Sequence, residues 1–329
     1  MILKHACRLV ALLVVGLIFG GCTWFSKPQP KPESPPPPPT EKSELPPAVD
    51  FSKYKAEQNI SVYMADTGEK KQMPLEQYLE GVVAAEMEPD WPMEALRAQA
   101  VVVRTITLNA IEQKTVQRIR QTDVSTNKAE LQSYDAKKVN ANVKEAVRST
   151  RGLAMIYKGA FVNAIYHACC GEKTATQEES YAKEIKYDAG YFQVVDCPCF
   201  EYAPDRVKHW KLKISDAEWK GAVGYTGPAE NVEILETGPS GRALYIGTEH
   251  KKELGSEVRK RLGYDKMLST LITNVVYQAD GKVHVEGKGW GNGVGLCQWG
   301  AYTWAQRQQT YNYILNYYYK GVTVQKMWE

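Results

Sequence analysis

Five consecutive prolines, Pro35 to Pro39, sit inside a stretch from residue 26 to 47 that is rich in Lys, Pro, Glu and Ser. Proline has no amide hydrogen to give to a helix or sheet, and its fixed φ steers such a run into extended polyproline II. The stretch cannot form a core, so it divides the chain into a leader and a body. At about 3 Å per residue it is a stiff spacer several nanometres long.

The leader carries Lys4, His5 and Arg8, then an apolar run from Leu9 to Phe19 interrupted by Gly16, and it ends in Gly20-Gly21-Cys22. A charged start, an apolar stretch and small residues are the layout of a signal peptide. Small residues directly before a cysteine are similar to the bacterial lipoprotein processing site, with Cys22 as the lipidated N-terminus of the mature chain. An uncleaved membrane anchor is the alternative, although the run is shorter than the ~20 residues of a comfortable span. Either way the expectation is an exported protein held at the outer face of the cytoplasmic membrane. Residues 1–22 are the leader, 23–58 the linker and 59–324 the body.

Of 329 residues, 43% are hydrophobic and 24% charged, enough to bury one large core or two coupled smaller ones. Forty-one basic against 38 acidic side chains leave a formal charge of +3 with no basic cluster, which argues against nucleic acid. Twenty Tyr and 8 Trp against 6 Phe suit a protein that offers amphipathic rings to sugars, or one that packs them in core and rim.

The body begins with the alternating Ile60, Val62, Met64 of a strand. Leu75, Tyr78, Leu79, Val82 and Val83 then recur at helical spacing until Pro89 and Pro92 break the pattern, and Leu96, Ala100, Val103 and Thr107 line one face of a second helix. The two predict a helical hairpin. A helix near 139–150, strands at 153–157 and 161–169, short β-like runs between 202 and 287, a glycine-rich loop at 287–295 and two closing helices complete an α+β body: a hairpin, mixed β structure and a β-rich insert.

Continuing the first apolar stripe in steps of four and three lands on Glu86. Glu76, Glu80 and Glu88 are expected to project elsewhere. A carboxyl facing the interior or a cleft floor is desolvated, which raises its pKa and suits a general acid. An ion pair with Arg104, beside the facing stripe, would pull the other way.

The run Leu75-Glu-Gln-Tyr-Leu-Glu-Gly-Val-Val-Ala-Ala-Glu86-Met, followed by Ala95-Leu-Arg-Ala-Gln-Ala-Val-Val-Val-Arg104-Thr, resembles the opening signature of the stage II sporulation protein D (SpoIID) and LytB family. Gly289-Trp-Gly-Asn-Gly-Val-Gly-Leu-Cys-Gln298 resembles its glycine-rich loop and Tyr313-Ile-Leu-Asn-Tyr-Tyr-Tyr-Lys-Gly its closing helix, with the likeness running from about Asn59 to Val324. The resemblance implies a peptidoglycan lytic transglycosylase acting on glycan strands stripped of stem peptides, with Glu86 as the catalytic acid and Gln99, Arg104, His167, Asn292 and Gln298 near the substrate. It also implies a cell-wall amidase as partner, and the non-catalytic alternative is a wall-binding amidase enhancer. Where the family's loop has Gly-His-Gly, this chain has Asn292, which cannot titrate. If the family histidine moves protons, His167 would have to stand in.

His167, Cys169 and Cys170 in one group and Cys197 and Cys199 in another suit four ligands of a structural tetrahedral zinc, with no metal needed for catalysis. One or two disulfides between the groups are the alternative for an exported chain. Cys297 stands apart and is expected to be a small buried side chain.

Overall fold

The computed structural model describes residues 48–181 and 189–329. The leader, Cys22 and most of the linker lie outside the described residues. Among those described, no helix is long and apolar enough to cross a membrane.

Strands β1 (Asn59–Tyr63) and β2 (Lys70–Pro74) form an antiparallel hairpin, and Pro74 leads directly into helix α1 (Leu75–Glu86). The whole predicted stripe of α1 from Leu75 to Val83 is buried. Met87 leaves the helix in an extended conformation, the prolines turn the chain, and α2 (Met93–Glu112) returns with Leu96, Ala100, Val103 and Thr107 inside. The hairpin is the centre of the main core. A short helix α3 (Gln117–Arg120) leads to β3 (Val124–Ser125), which joins β1 in parallel.

Helix α4 (Ala141–Ser149) starts at Asn140, whose side chain accepts from the Val143 amide at 3.0 Å, an N-cap that satisfies one otherwise orphaned donor. The chain passes through Gly152 into β4 (Leu153–Tyr157), which pairs with β5 (Ala160–Phe161). The single strand expected over 161–169 is broken. After β5 the chain detaches and re-enters as β6 (Tyr166–His167), because this piece pairs with a different partner near the C-terminus. Two short helices, α5 (Gln177–Tyr181) and α6 (Asp205–Lys208), follow.

The insert contains β7 (Trp210–Ser215), α7 (Asp216–Val223), β8 (Glu233–Thr237), β9 (Ala243–Thr248), β10 (Lys251–Leu254), α8 (Gly255–Leu262), β11 (Ile272–Gln278) and β12 (Lys282–Gly287). They make two three-stranded sheets, β10-β9-β8 and β11-β12-β7, around a second core built on Trp210, Trp219, Val283 and Val285. Leu268 packs against both cores. The glycine-rich loop ends in β13 (Leu296–Cys297), parallel to β6, then come α9 (Gln298–Gln306), α10 (Tyr311–Tyr318) and β14 (Thr323–Lys326), which pairs antiparallel with β4. The fold is α+β.

Candidate active site

Three distant stretches of chain meet at one cleft of about 720 Å³: the end of α1, the β6 segment, and the glycine loop with the start of α9. Glu86, the last residue of α1, lines it and is half-buried. One carboxylate oxygen of Glu86 accepts from the Ser133 amide at 2.7 Å. The Tyr166 hydroxyl is also hydrogen-bonded to this carboxylate, and burial, then the charge and hydrogen bond of Glu86, push that phenol well above its ordinary range. Gln298 donates to the backbone carbonyl of Glu86 at 2.9 Å, so the first residue of α9 fixes the last residue of α1. The acid is thus oriented from three sides with room left in the cleft.

The expectation for the other acids of α1 needs correction. Glu76 is buried, and its partner is Arg104: Arg104 Nε and Nη2 reach the two Glu76 oxygens at 3.0 and 2.6 Å. The remaining Arg104 donors go to the carbonyls of Ala100, Val147 and Leu153 and to the Thr150 hydroxyl, and the Gly152 amide donates to Glu76 at 3.0 Å. A helix tightly packed on more than one side buries residues beside its main stripe, and here α4 and β4 cover that flank. Arg104 therefore ties the hairpin to α4 and β4 and lies away from the cleft. Gln99 is likewise fully buried, outside the cleft lining, with both amide atoms unpartnered.

Asn292, His167 and Gln298 do line the cleft. The Asn292 amide donates to the Tyr166 carbonyl at 3.2 Å and its oxygen accepts from the Val294 amide at 2.7 Å, so the side chain locks the loop. His167 is held as a neutral imidazole, which does not favour it as a stand-in for proton transfer. Burial, then the positive charge of Arg242, pull its imidazole down to about 3, leaving it neutral near pH 7. Its Nδ1 lies 3.0 Å from the Val294 carbonyl, which makes Nδ1 the donor and Nε2 a buried acceptor without a partner.

The glycines of the loop are steric requirements. A Cβ on Gly295, at φ +70°, would come within 2.0 Å of the Ile165 carbonyl, and one on Gly291 within 2.7 Å of the His167 Cβ. Cys169 and Trp290 exchange backbone hydrogen bonds at 2.9 and 2.7 Å, seating the loop against β6.

Several cleft residues carried no sequence signal. Tyr166 lies within the likeness from about Asn59 to Val324, yet neither spacing nor pattern marks it as a partner of Glu86. Trp91 and Trp299 line the cleft with their rings tilted, 4.7 Å between centroids, and Tyr302, outside the lining, backs them at 5.1 and 5.4 Å. Lys128, Arg206 and Arg259 also line the cleft, with Arg206 4.8 Å from the Trp290 ring. Residues of a wall drawn from six separate segments show no periodicity.

The thiols form a different group from the one expected. Sγ atoms of Cys170, Cys197, Cys199 and Cys297 all lie within 4.8 Å of one another, all buried. His167 is not in this set and Cys297 is, because the parallel β6–β13 pairing carries the loop back over the cysteines. All five described cysteines at 169, 170, 197, 199 and 297 are free thiols with no disulfide among them. Cys199 accepts from Cys169 at 3.5 Å and shares a hydrogen bond with Cys170 at 3.4 Å; these contacts lower its thiol far below the usual range, while burial pushes Cys170 far above it.

Fold and site together define a two-core α+β protein with an open cleft in which the Glu86 carboxyl is held by hydrogen bonds. Residues 63–157 match the family model described as Stage II sporulation protein, SpoIID. An uncharacterised protein of Brachyspira hyodysenteriae is 32% identical over 77% of this chain and 67% of its own length. Stage II sporulation protein D of Bacillus subtilis is 26% identical over 81% of this chain and 78% of its own. The amidase enhancer of Bacillus subtilis is 26% identical over 75% of this chain, which spans 40% of the enhancer. The chain belongs to the SpoIID family.

Proposed function

We propose that this protein cleaves the glycan strands of cell-wall peptidoglycan as a lytic transglycosylase, in the sporulation setting its relatives' names suggest, with Glu86 as the one acid–base group. The observation that carries this reading is the carboxyl of Glu86, held by the Ser133 amide and the Tyr166 hydroxyl on the floor of an open cleft. The acid donates its proton to the glycosidic oxygen as the bond to C1 breaks. The resulting carboxylate takes a proton from the muramic acid C6 hydroxyl, whose oxygen closes on C1 to leave a 1,6-anhydro end, and Glu86 is restored without consuming water. Hydrolysis by two carboxyls needs a second acid ~5–9.5 Å away across the sugar ring. The other carboxyl among the described lining residues is Glu88, two residues along in the same wall and exposed, which favours the single-acid scheme.

Aromatic rings suit sugar faces, and the cleft-lining rings of Trp91, Trp290 and Trp299 offer them. Glycans stripped of stem peptides carry free lactyl carboxylates, for which Lys128, Arg206 and Arg259 are complementary. Likeness to the amidase enhancer supports a second reading, in which the cleft binds the wall and recruits an amidase without cutting.

Mass spectrometry of denuded strands after incubation with purified protein separates the two. Anhydromuramic ends with the wild type and none with Glu86→Gln are expected. No cleavage by folded wild type, together with stimulation of an amidase that Glu86→Gln also supports, would replace the transglycosylase reading by the enhancer one.

A further inference from the structure

Four sulphur atoms from three separated segments meet in the core, and the surroundings of those sulphurs are unusual for thiols that merely fill space. Cys170 follows β6, Cys197 and Cys199 flank Pro198, and Cys297 ends β13. Zinc bound by four thiolates at about 2.3 Å stands in a tetrahedron with edges of about 3.8 Å. Sulphurs that all lie within 4.8 Å of one another match a single small ion and are too close for thiolates bound to the separate irons of a cluster.

Hydrogen-bond donors are aimed at these sulphurs. The amides of Cys170 and Gly300 each lie 3.3 Å from the Cys297 sulphur, and the Tyr318 hydroxyl lies 3.1 Å from that of Cys197. Cys297 is also the N-cap of α9, so the positive end of a nine-residue helix faces its sulphur. Arg242 is wholly buried beside the group and donates to the carbonyls of Cys170 and Lys173 and to the Ser240 hydroxyl. The buried acid Glu179 meets it through the shared Ser240 hydroxyl, and the guanidinium feels its charge together with that of the cysteines. A buried guanidinium needs negative charge around it. A divalent ion with four thiolates carries two negative charges and would add to that of Glu179.

We propose that Cys170, Cys197, Cys199 and Cys297 hold one structural zinc ion, with Cys169 beside the site and Arg242 as its charge partner. The four ligands leave no position for water, so the ion is not a catalyst. It clamps β6 and the start of α9, the two elements that present Tyr166 and Gln298 to Glu86. The site stands whether or not Glu86 cleaves glycan.

Elemental analysis of the full chain, purified under reducing, chelator-free conditions, should give about one zinc per chain. Cys199→Ser and Cys297→Ser should lower zinc affinity about tenfold or more, while Cys169→Ser and His167→Asn should keep the metal. Should the ligand variants fail to fold, cobalt exchanged into the wild type decides: the visible bands of tetrahedral cobalt with sulphur-to-cobalt charge transfer are expected. Folded wild type that neither holds zinc nor takes up cobalt would overturn the proposal. So would stoichiometric iron, native peptide maps showing a disulfide among the four, or full zinc retention by Cys297→Ser.

Discussion

Glu86 and Glu76 lie on one helix ten residues apart, and their environments assign them opposite work. Glu86→Gln keeps the size and most hydrogen bonds of the side chain but removes the transferable proton. In the proposed mechanism one group serves both transfers, so glycan cleavage should fall toward the upper end of the ~10²–10⁴-fold typical of acid–base assistance, with the melting temperature nearly unchanged. Glu80→Gln is the matched control on the same helix and should retain cleavage. Glu76→Gln is no such control, since it strips Arg104 of its buried counter-ion; a loss of about 3–5 kcal/mol in urea unfolding is expected. A third residue-scale prediction concerns His167, whose imidazole sits at about 3 in the folded chain against about 6.5 when unfolded. Between those values the unfolded chain binds the extra proton, so the contribution to stability is complete above pH 6.5 and is lost as pH falls. Moving from pH 7 to pH 5 should cost the wild type about 2 kcal/mol more than His167→Asn. An equal pH response in the two proteins would mean that the imidazole is already charged in the fold.

At the scale of elements, the hairpin was legible, and so were α4 and β4 as elements, but not how they pack against it. The stripe from Leu75 to Val83 and the pair of prolines after it define α1, the turn and the start of α2, because periodicity is a local property. That α1 is covered on a second flank, burying Glu76, depends on where α4 and β4 arrive from 65 or more residues away. The same limit hid the fourth thiol: Cys297 is brought to the others by a parallel pairing with β6 across about 130 residues. The glycine loop was legible as a loop, though its reason is steric. Gly295→Ala forces a left-handed backbone onto alanine and drives a methyl into the Ile165 carbonyl. Strain alone costs about 1–3 kcal/mol, and the collision adds to it. Differential scanning calorimetry should show a clear drop in melting temperature, with cleavage lost in the fraction that remains folded.

For the whole molecule, the main core and the insert's core were anticipated only as an α+β body with a β-rich portion; the second core closes around Trp210 and Trp219, whose sequence neighbourhood gives no hint of shared packing. The leader read from the sequence belongs to this scale too, as a proposal about where the cleft works. We expect Cys22→Ala to release the protein from the membrane fraction in cell fractionation, and a mature chain found to start at Met1 would favour the uncleaved anchor. The cleft itself needs residues from α1, from β6 and from the loop and helix that follow residue 289, with Gln298 fastened to Glu86 across more than two hundred positions. A ribosome delivers these in order, so a nascent chain carries its acid long before it carries the rest of the catalytic floor. On the proposed reading, a fragment that ends before Gln298 lacks the group that fastens the last residue of α1, so cleavage would begin only once the chain is complete.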